Sequence, residues 1–185
     1  MKHLFFATAL FLNIFLATPL AAGANPNTDS ADTICLEVNG IALDTRNLPI
    51  DGAQIRLYKE NDELEWSEIT SAIHHEHHFQ FKLEVNSHYT IEISKPGFIT
   101  RLVSISTIIP PHVSLEQIFK YEFDVQLLSS EEKLNDYYID FPVALISYDS
   151  KRDVFDNNYT YTKHIKTMMK SGPAEKQGNA LTTKR

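Results

Sequence analysis

Cysteine is almost absent from this chain, which has one, Cys35, among its 185 residues. No disulfide can form within the chain, so its fold must depend on a packed core. A lipid anchor at a cleaved leader is also excluded, because it needs a cysteine directly after the leader and Cys35 lies well downstream. We expect Cys35 to be a small apolar residue buried in the first strand.

Basic residues are also fewer than acidic residues. The chain has 17 lysine and arginine residues against 24 aspartate and glutamate residues, a formal net charge of −7. This balance argues against nucleic acid or an anionic membrane as a partner, because both are bound by basic surfaces. The polar tail at 171–185 is expected to be disordered rather than a binding site.

No apolar run reaches the roughly 20 residues that span a bilayer. The run Leu4 to Leu16 is followed by Ala22-Gly23-Ala24, which places small residues at the positions that a signal peptidase reads. We therefore expect a signal peptide at 1–24, a disordered leader at 25–33 and no membrane span after cleavage. The predicted location is the periplasm, the cell surface or the extracellular space.

Motifs for catalysis are missing as well. No nucleophile-elbow or related motif places a serine or cysteine beside an oriented base. The many carboxylates fall on outward strand positions and in turns, which is typical of a solvated surface. We expect no enzyme and no cofactor.

Alternation of apolar and polar residues is the clearest pattern that is present. Tyr89, Ile91 and Ile93 alternate with polar residues, and Pro96-Gly97 then fits a type II turn. Short runs of this kind recur between turn signals, with no long amphipathic helix between them. Seven strands are predicted, at about 34–43, 53–58, 64–73, 78–83, 89–94, 99–105 and 121–128. The sequence therefore predicts an all-β fold, a seven-stranded antiparallel sandwich of two sheets.

Four details of this sandwich can be predicted. Gly40 indicates a bulge or bend in the first strand, where a residue without Cβ relieves crowding. The impure pattern of 64–73 indicates an edge strand or a bulge. The strict alternation of 78–83 indicates a strand central to the core, and Ser114 to Phe119 could form one helical turn.

A C-terminal extension is predicted at 129–170. It begins with a polar linker and contains one short strand at about Phe141 to Tyr148. A helix at Tyr159 to Lys170 follows, with an apolar stripe that must dock on the sandwich or on a partner. The stripe consists of Tyr161, Ile165, Met168 and Met169, and the candidate capping residues are Asp156, Asn157 and Asn158.

Three segments match a known pattern: Leu48 to Tyr58 (LPIDGAQIRLY), Phe79 to Phe81 (FQF) and Tyr89 to Phe98 (YTIEISKPGF). They resemble the carboxypeptidase regulatory-like domain, whose pattern runs P-x-x-G-A-x-V-x-L-Y, G-x-F-x-F and Y-x-I-x-V-S-K-x-G-Y/F. The resemblance covers about 34–128. It implies a transthyretin-like or prealbumin-like sandwich that serves as an accessory module. The segment 140–149, together with Phe155 and Tyr161 to Ile165, resembles the C-terminal extension of small exported proteins of this kind from Bacteroidetes-type bacteria.

A histidine cluster, His74-His75-Glu76-His77-His78, stands where that family has a D-x-x-G-x-F turn. In an extended chain His75 and His77 project to one face, and such a pair can bind one metal ion. A third ligand, His88 or His112, would have to come from another loop. The cluster is therefore either a weak metal site through His75 and His77 or an exposed polar turn.

Three functions follow from these patterns. The first is an exported, non-catalytic module of the cell envelope that acts by protein–protein contact or as an accessory domain. The alternative is a carbohydrate-binding module with aromatic rings that stack on sugars, and the candidates are Tyr58, Trp66, Tyr137 and Tyr138. These rings could instead close the sandwich edge and pack the linker down. Weak metal binding through the histidine cluster is the third.

Overall fold

The computed structural model describes residues 33–61, 63–74 and 78–171. The predicted signal peptide at 1–24 lies outside these residues, as do nearly all of the predicted leader and tail. Within the described residues, no helix is both long enough and apolar enough to cross a bilayer.

The described chain contains nine strands, one 3-10 turn and one helix. The strands are β1 (Ile34–Leu43), β2 (Ala53–Glu60), β3 (Trp66–His74), β4 (His78–Glu84), β5 (His88–Ser94), β6 (Arg101–Ser106), β7 (Phe119–Gln126), β8 (Ala144–Asp149) and β9 (Val154–Asn157). The 3-10 turn is Asp136–Tyr138 and the helix, α1, is Tyr159–Lys170.

The strands form two sheets that face each other across one apolar core. Sheet A has the order β4-β1-β7, and sheet B has the order β3-β2-β5-β6-β8-β9. Inward residues of both sheets, such as Val38 and Ile91, have no exposed surface. The mostly-β, two-sheet sandwich predicted from the alternation is confirmed.

Two strand pairs run parallel, where the sequence predicted an antiparallel sandwich. β1 pairs with β7 in parallel, and β6 pairs with β8 in parallel. Residues 107–118 carry the chain from sheet B to sheet A, so β7 comes to lie beside β1 in the same direction. Parallel pairs need such crossover connections rather than hairpins. The alternation of apolar and polar residues predicts strands, but it does not predict how the strands are connected.

The predicted helical turn at Ser114 to Phe119 is wrong. Val113 and Leu115 are half-buried, while Ser114 and Glu116 are exposed. Residues 116 and 117 form a bend, and Phe119 is already the first residue of β7. None of the residues 114–119 is helical.

β3 and β4 are outer strands of their sheets, and the predictions for both are confirmed. β3 is an edge strand of sheet B, as predicted, and its register with β2 shifts between Leu57 and Tyr58, so that Ile69 is an extra, bulged residue. β4 was predicted to be central to the core, which is confirmed, and it lies at an edge of sheet A. Its alternate residues Phe79 and Leu83 are nevertheless buried, because burial depends on the inward face and not on position within the sheet.

Gly40 has a different role from the predicted bulge. Its register with β4 is regular, with Gly40 opposite Phe79. A Cβ atom on Gly40 would lie 2.2 Å from Cζ of Phe79. The glycine is therefore needed because the Phe79 ring lies directly against the β1 backbone, which is the relief of crowding that the sequence indicated.

The C-terminal extension packs on the sandwich of its own chain. β8 and β9 continue sheet B, and β9 is a strand that the sequence did not predict. Helix α1 begins after Asn158, whose side chain accepts a hydrogen bond from the backbone N–H of Tyr161 at 3.0 Å. Ile165 and Met169 of the predicted stripe are buried, and the Tyr161 hydroxyl donates to the carbonyl of Pro142 at 2.9 Å.

We predict that Gly40→Ala lowers the free energy of unfolding by about 1–3 kcal/mol, because the added methyl group overlaps a buried ring. Denaturant unfolding measures this change. Adding Phe79→Leu shortens the opposing side chain, so the double variant should lose less stability than the two single variants sum to. An additive double variant would contradict the predicted clash.

We predict that a chain ending at Leu128 associates and melts at a lower temperature. Removing β8 leaves β6 as an open edge, since β8 is its partner on that side. Open edges and uncovered apolar faces promote association between copies. Light scattering and thermal melting compare the two chains, and a truncated chain that stays monomeric and equally stable would contradict the prediction.

Candidate functional site

A cavity of about 440 Å³ opens at one end of the sandwich. Its walls come from β1 and β7 of sheet A, β6 and β8 of sheet B, and helix α1. The apolar part of the lining includes Leu43, Val103, Phe123, Val125, Ile146 and Met169. Cavities of roughly 300–1,000 Å³ with mostly apolar walls are typical of small-molecule sites.

Arg101 is a buried residue in the lining of this cavity. It is the first residue of β6 and occupies an inward position of the strand, like Val103 and Ile105, with 3% of its surface exposed. Its Nη1 contacts Sδ of Met169 at 3.5 Å, and its Nε has no hydrogen-bond partner among the described residues. No ion pair joins it to a described carboxylate. Burial lowers the pKa of Arg101, and the more distant charge of Glu132 opposes this shift.

The sequence pattern could have identified Arg101 as a buried charged residue, although the predicted strand was not interpreted in this way. Ile99, Arg101, Val103 and Ile105 share one face of the predicted strand, so Arg101 interrupts an otherwise apolar series. Charged side chains are rarely buried without a partner. A charged residue at an inward position is therefore the pattern that could have identified the site.

The opening of the cavity is polar. Lys166 and Lys170 extend from helix α1, and Gln126 and Asp124 lie on the opposite wall at the end of β7. All four are exposed. Two ammonium groups against one carboxylate give the opening a net positive charge, in a chain that is acidic as a whole.

Tyr121 is a half-buried residue of the same lining. Its ring packs against Phe123 with centroids 6.0 Å apart. Burial is the main cause that raises the pKa of Tyr121 to about 12, with the charges of nearby groups as a further cause. Tyr121 is therefore a neutral phenol at physiological pH and no general base.

The aromatic candidates for sugar stacking fall in two separate places. Trp66 of β3 is 47% exposed, and its register opposite Glu60 places it on the same outer face of sheet B as Tyr58. Tyr137 and Tyr138 lie in the 3-10 turn, where their rings pack edge to face with centroids 4.9 Å apart. Only the first pair lies on a sheet face.

The predicted metal ligands His75 and His77 lie outside the described residues, so metal binding there stays a prediction. His78 is exposed at the start of β4 in sheet A, while His88 begins β5 in sheet B. Within 33–61, 63–74 and 78–171, no three histidine, cysteine, aspartate or glutamate side chains form a group that could hold a metal ion.

Comparisons with known proteins give distant likenesses only. No protein-family model matches the chain, and no curated protein matches it. Among solved structures, 3-chlorocatechol 1,2-dioxygenase from Rhodococcus opacus 1CP has a TM-score of 0.40 at 12% identity, over 55% of this chain and 62% of the dioxygenase. Catechol 1,2-dioxygenase from Pseudomonas arvilla C-1 has a TM-score of 0.40 at 13% identity, over 58% of this chain and 56% of the dioxygenase.

Transthyretin from Sparus aurata has a TM-score of 0.35 at 11% identity, over 50% of this chain and 90% of transthyretin. The chain thus spans less than two thirds of the two dioxygenases. It is distantly similar to the β-sandwiches of transthyretin and of these enzymes. At such scores the likeness assigns neither family nor activity.

Cys35 is buried in β1 with no exposed surface, as the sequence predicted. Burial raises the pKa of its thiol to about 11. We predict that iodoacetamide fails to alkylate the native protein at about pH 8, because the thiolate is the reactive form and the thiol is inaccessible. Mass spectrometry before and after denaturation checks this, and rapid modification of the native protein would contradict it.

Proposed function

We propose that the chain is an exported, non-catalytic β-sandwich module of the cell envelope that acts by contact with another protein. We also propose that it is a diverged carboxypeptidase regulatory-like domain. Two of the segments that carry this resemblance, Leu48 to Tyr58 and Tyr89 to Phe98, contain β2 and β5, which are hydrogen-bonded neighbours in sheet B. Their pairing supports the resemblance, because the matched residues then form one continuous surface.

The observation that carries the proposal is the open edge of β3. β3 pairs with β2 on one side, and no described strand pairs with its other side. The side chains of residues 66–70 are all exposed, including Trp66 and Ile69. An open edge with exposed apolar residues can add an extended segment of a partner as a further strand.

Charge indicates which partner this edge accepts. Glu63 and Glu65 are exposed directly before β3. The nearest basic residues, Arg56 and Lys59 of β2, each already form an ion pair with a glutamate. Two copies of this chain would bring like charges together, which disfavours self-pairing. The partner we expect is therefore an extended, basic segment of a different envelope protein.

Trp66 provides a direct test, because it is the one tryptophan in the chain. We predict that a synthetic peptide of alternating lysine and valine changes the fluorescence of Trp66 on titration, whereas the same peptide with glutamate for lysine does not. Reversing two charges, in a Glu63→Lys/Glu65→Lys variant, should weaken binding about tenfold, since each exposed pair contributes up to about 1 kcal/mol.

A matched control reverses two exposed charges away from the edge, in a Glu116→Lys/Glu131→Lys variant. This variant has the same net charge and should bind the lysine peptide like the unchanged protein. If both variants bind the lysine peptide equally weakly, net charge alone explains the effect. That result would contradict a binding site at β3.

Carbohydrate binding is a second candidate, because Trp66 and Tyr58 share the outer face of sheet B. Rings on one flat sheet face can stack on sugars. Glycan-array binding that is lost in Trp66→Ala but kept in the Glu63→Lys/Glu65→Lys variant would favour this function. The absence of binding to any glycan would contradict it.

A further inference from the structure

We propose that the cavity beside Arg101 binds a small, apolar molecule that has one carboxylate group. The site lies apart from the β3 edge, because β2 and β5 separate β3 from β6 in sheet B. Three strand spacings amount to about 14 Å. A variant that loses peptide binding at the β3 edge should therefore keep ligand binding in the cavity, and the reverse should also hold.

The guanidinium of Arg101 is not satisfied by the described residues. An arginine buried in a protein normally donates to carboxylates or carbonyls. Here the one hydrogen bond of the Arg101 side chain to a described residue goes to the weakly accepting sulfur of Met169, and Nε donates to no described residue. A buried water would satisfy this donor, but it would not balance the charge. A carboxylate does both, because its two oxygens match adjacent N–H groups of a guanidinium.

The buried charge in the cavity lining indicates that the ligand carries a single negative charge. Arg101 is the one cationic residue of the lining that is buried, since Lys166 and Lys170 are exposed at the opening. One negative charge balances one guanidinium. A doubly charged phosphate would leave charge uncompensated among apolar walls, which is unfavourable in a low dielectric.

The cavity walls indicate that the rest of the ligand is apolar. The side chains next to Arg101 along the cavity are apolar, among them Val103 of β6, Val125 of β7 and Ile146 of β8. Each of these three is buried, at 0%, 3% and 2% exposure. A hydrocarbon chain or ring would contact these walls while its carboxylate pairs with Arg101. The two lysines at the opening would attract the anion as it approaches.

Octanoate is a suitable probe, and 1-octanol and octylamine share its chain while changing the head group. Titration calorimetry on the full chain should give saturable heat for octanoate and none for octylamine, with octanol at least about tenfold weaker. Because Met169 contacts Arg101, its methyl NMR signal should shift with octanoate. Met168 is on the same helix and provides an internal reference.

Arg101→Met tests the role of the charge. It should weaken octanoate binding by about tenfold or more, while the melting temperature stays equal or rises, because an unpaired buried charge is removed. The matched control is Arg46→Met, since Arg46 is an exposed arginine paired with Asp44 at 2.8 Å outside the cavity. This control should bind octanoate like the unchanged protein.

Ala144→Leu is a second variant that keeps Arg101 and reduces the space, because Ala144 lines the cavity and is half-buried. It should also weaken octanoate binding, with Arg101 intact. The proposal is overturned if octanoate produces neither heat nor a Met169 shift. It is equally overturned if octanol binds as tightly, or if a folded Arg101→Met variant binds octanoate unchanged.

Discussion

The contact between the β1 backbone at Gly40 and the ring of Phe79 is the constraint on which sheet A depends. β1 is the middle strand of that sheet, so both of its neighbours take their positions from it. The Phe79 ring packs edge to face on Phe123 of β7 with centroids 5.7 Å apart, and Phe123 lines the cavity. A residue with Cβ at position 40 would therefore disturb β4, β7 and one cavity wall together.

The C-terminal extension completes the sandwich. β8 covers the open side of β6 and runs parallel to it, and β9 pairs with β8 as the edge strand of sheet B. Phe155 of β9 packs edge to face on Phe119 of β7, with centroids 5.5 Å apart. The extension therefore connects the two sheets, and it supplies the helix that forms one wall of the cavity.

The sequence predicted those features that depend on local periodicity. The seven sandwich strands, the edge position of β3, the burial of Cys35 and the bounds of helix α1 follow from patterns of two or 3.6 residues. Strand order and the two parallel pairs depend on which connections cross between the sheets. Local sequence patterns do not determine these connections. β9 escaped prediction because four residues are too short for an alternation to be recognised. Arg101 was included in a strand, but its inward position was not interpreted.

Arg101 also shows why the cavity is not explained by stability alone. Burial of a guanidinium without a carboxylate costs several kcal/mol, and a leucine or methionine at this position would extend the apolar face of β6 at no such cost. Helix α1 contributes to this burial, since the sulfur of Met169 contacts the Arg101 side chain at 3.5 Å and both residues are 3% exposed. Sequences under selection for stability alone lose such residues, whereas unfavourable residues persist where a ligand offsets their cost. Helix α1 thus increases the free-energy cost of burying Arg101. The same helix places Lys166 and Lys170 at the cavity opening, where they attract an anion that can offset this cost.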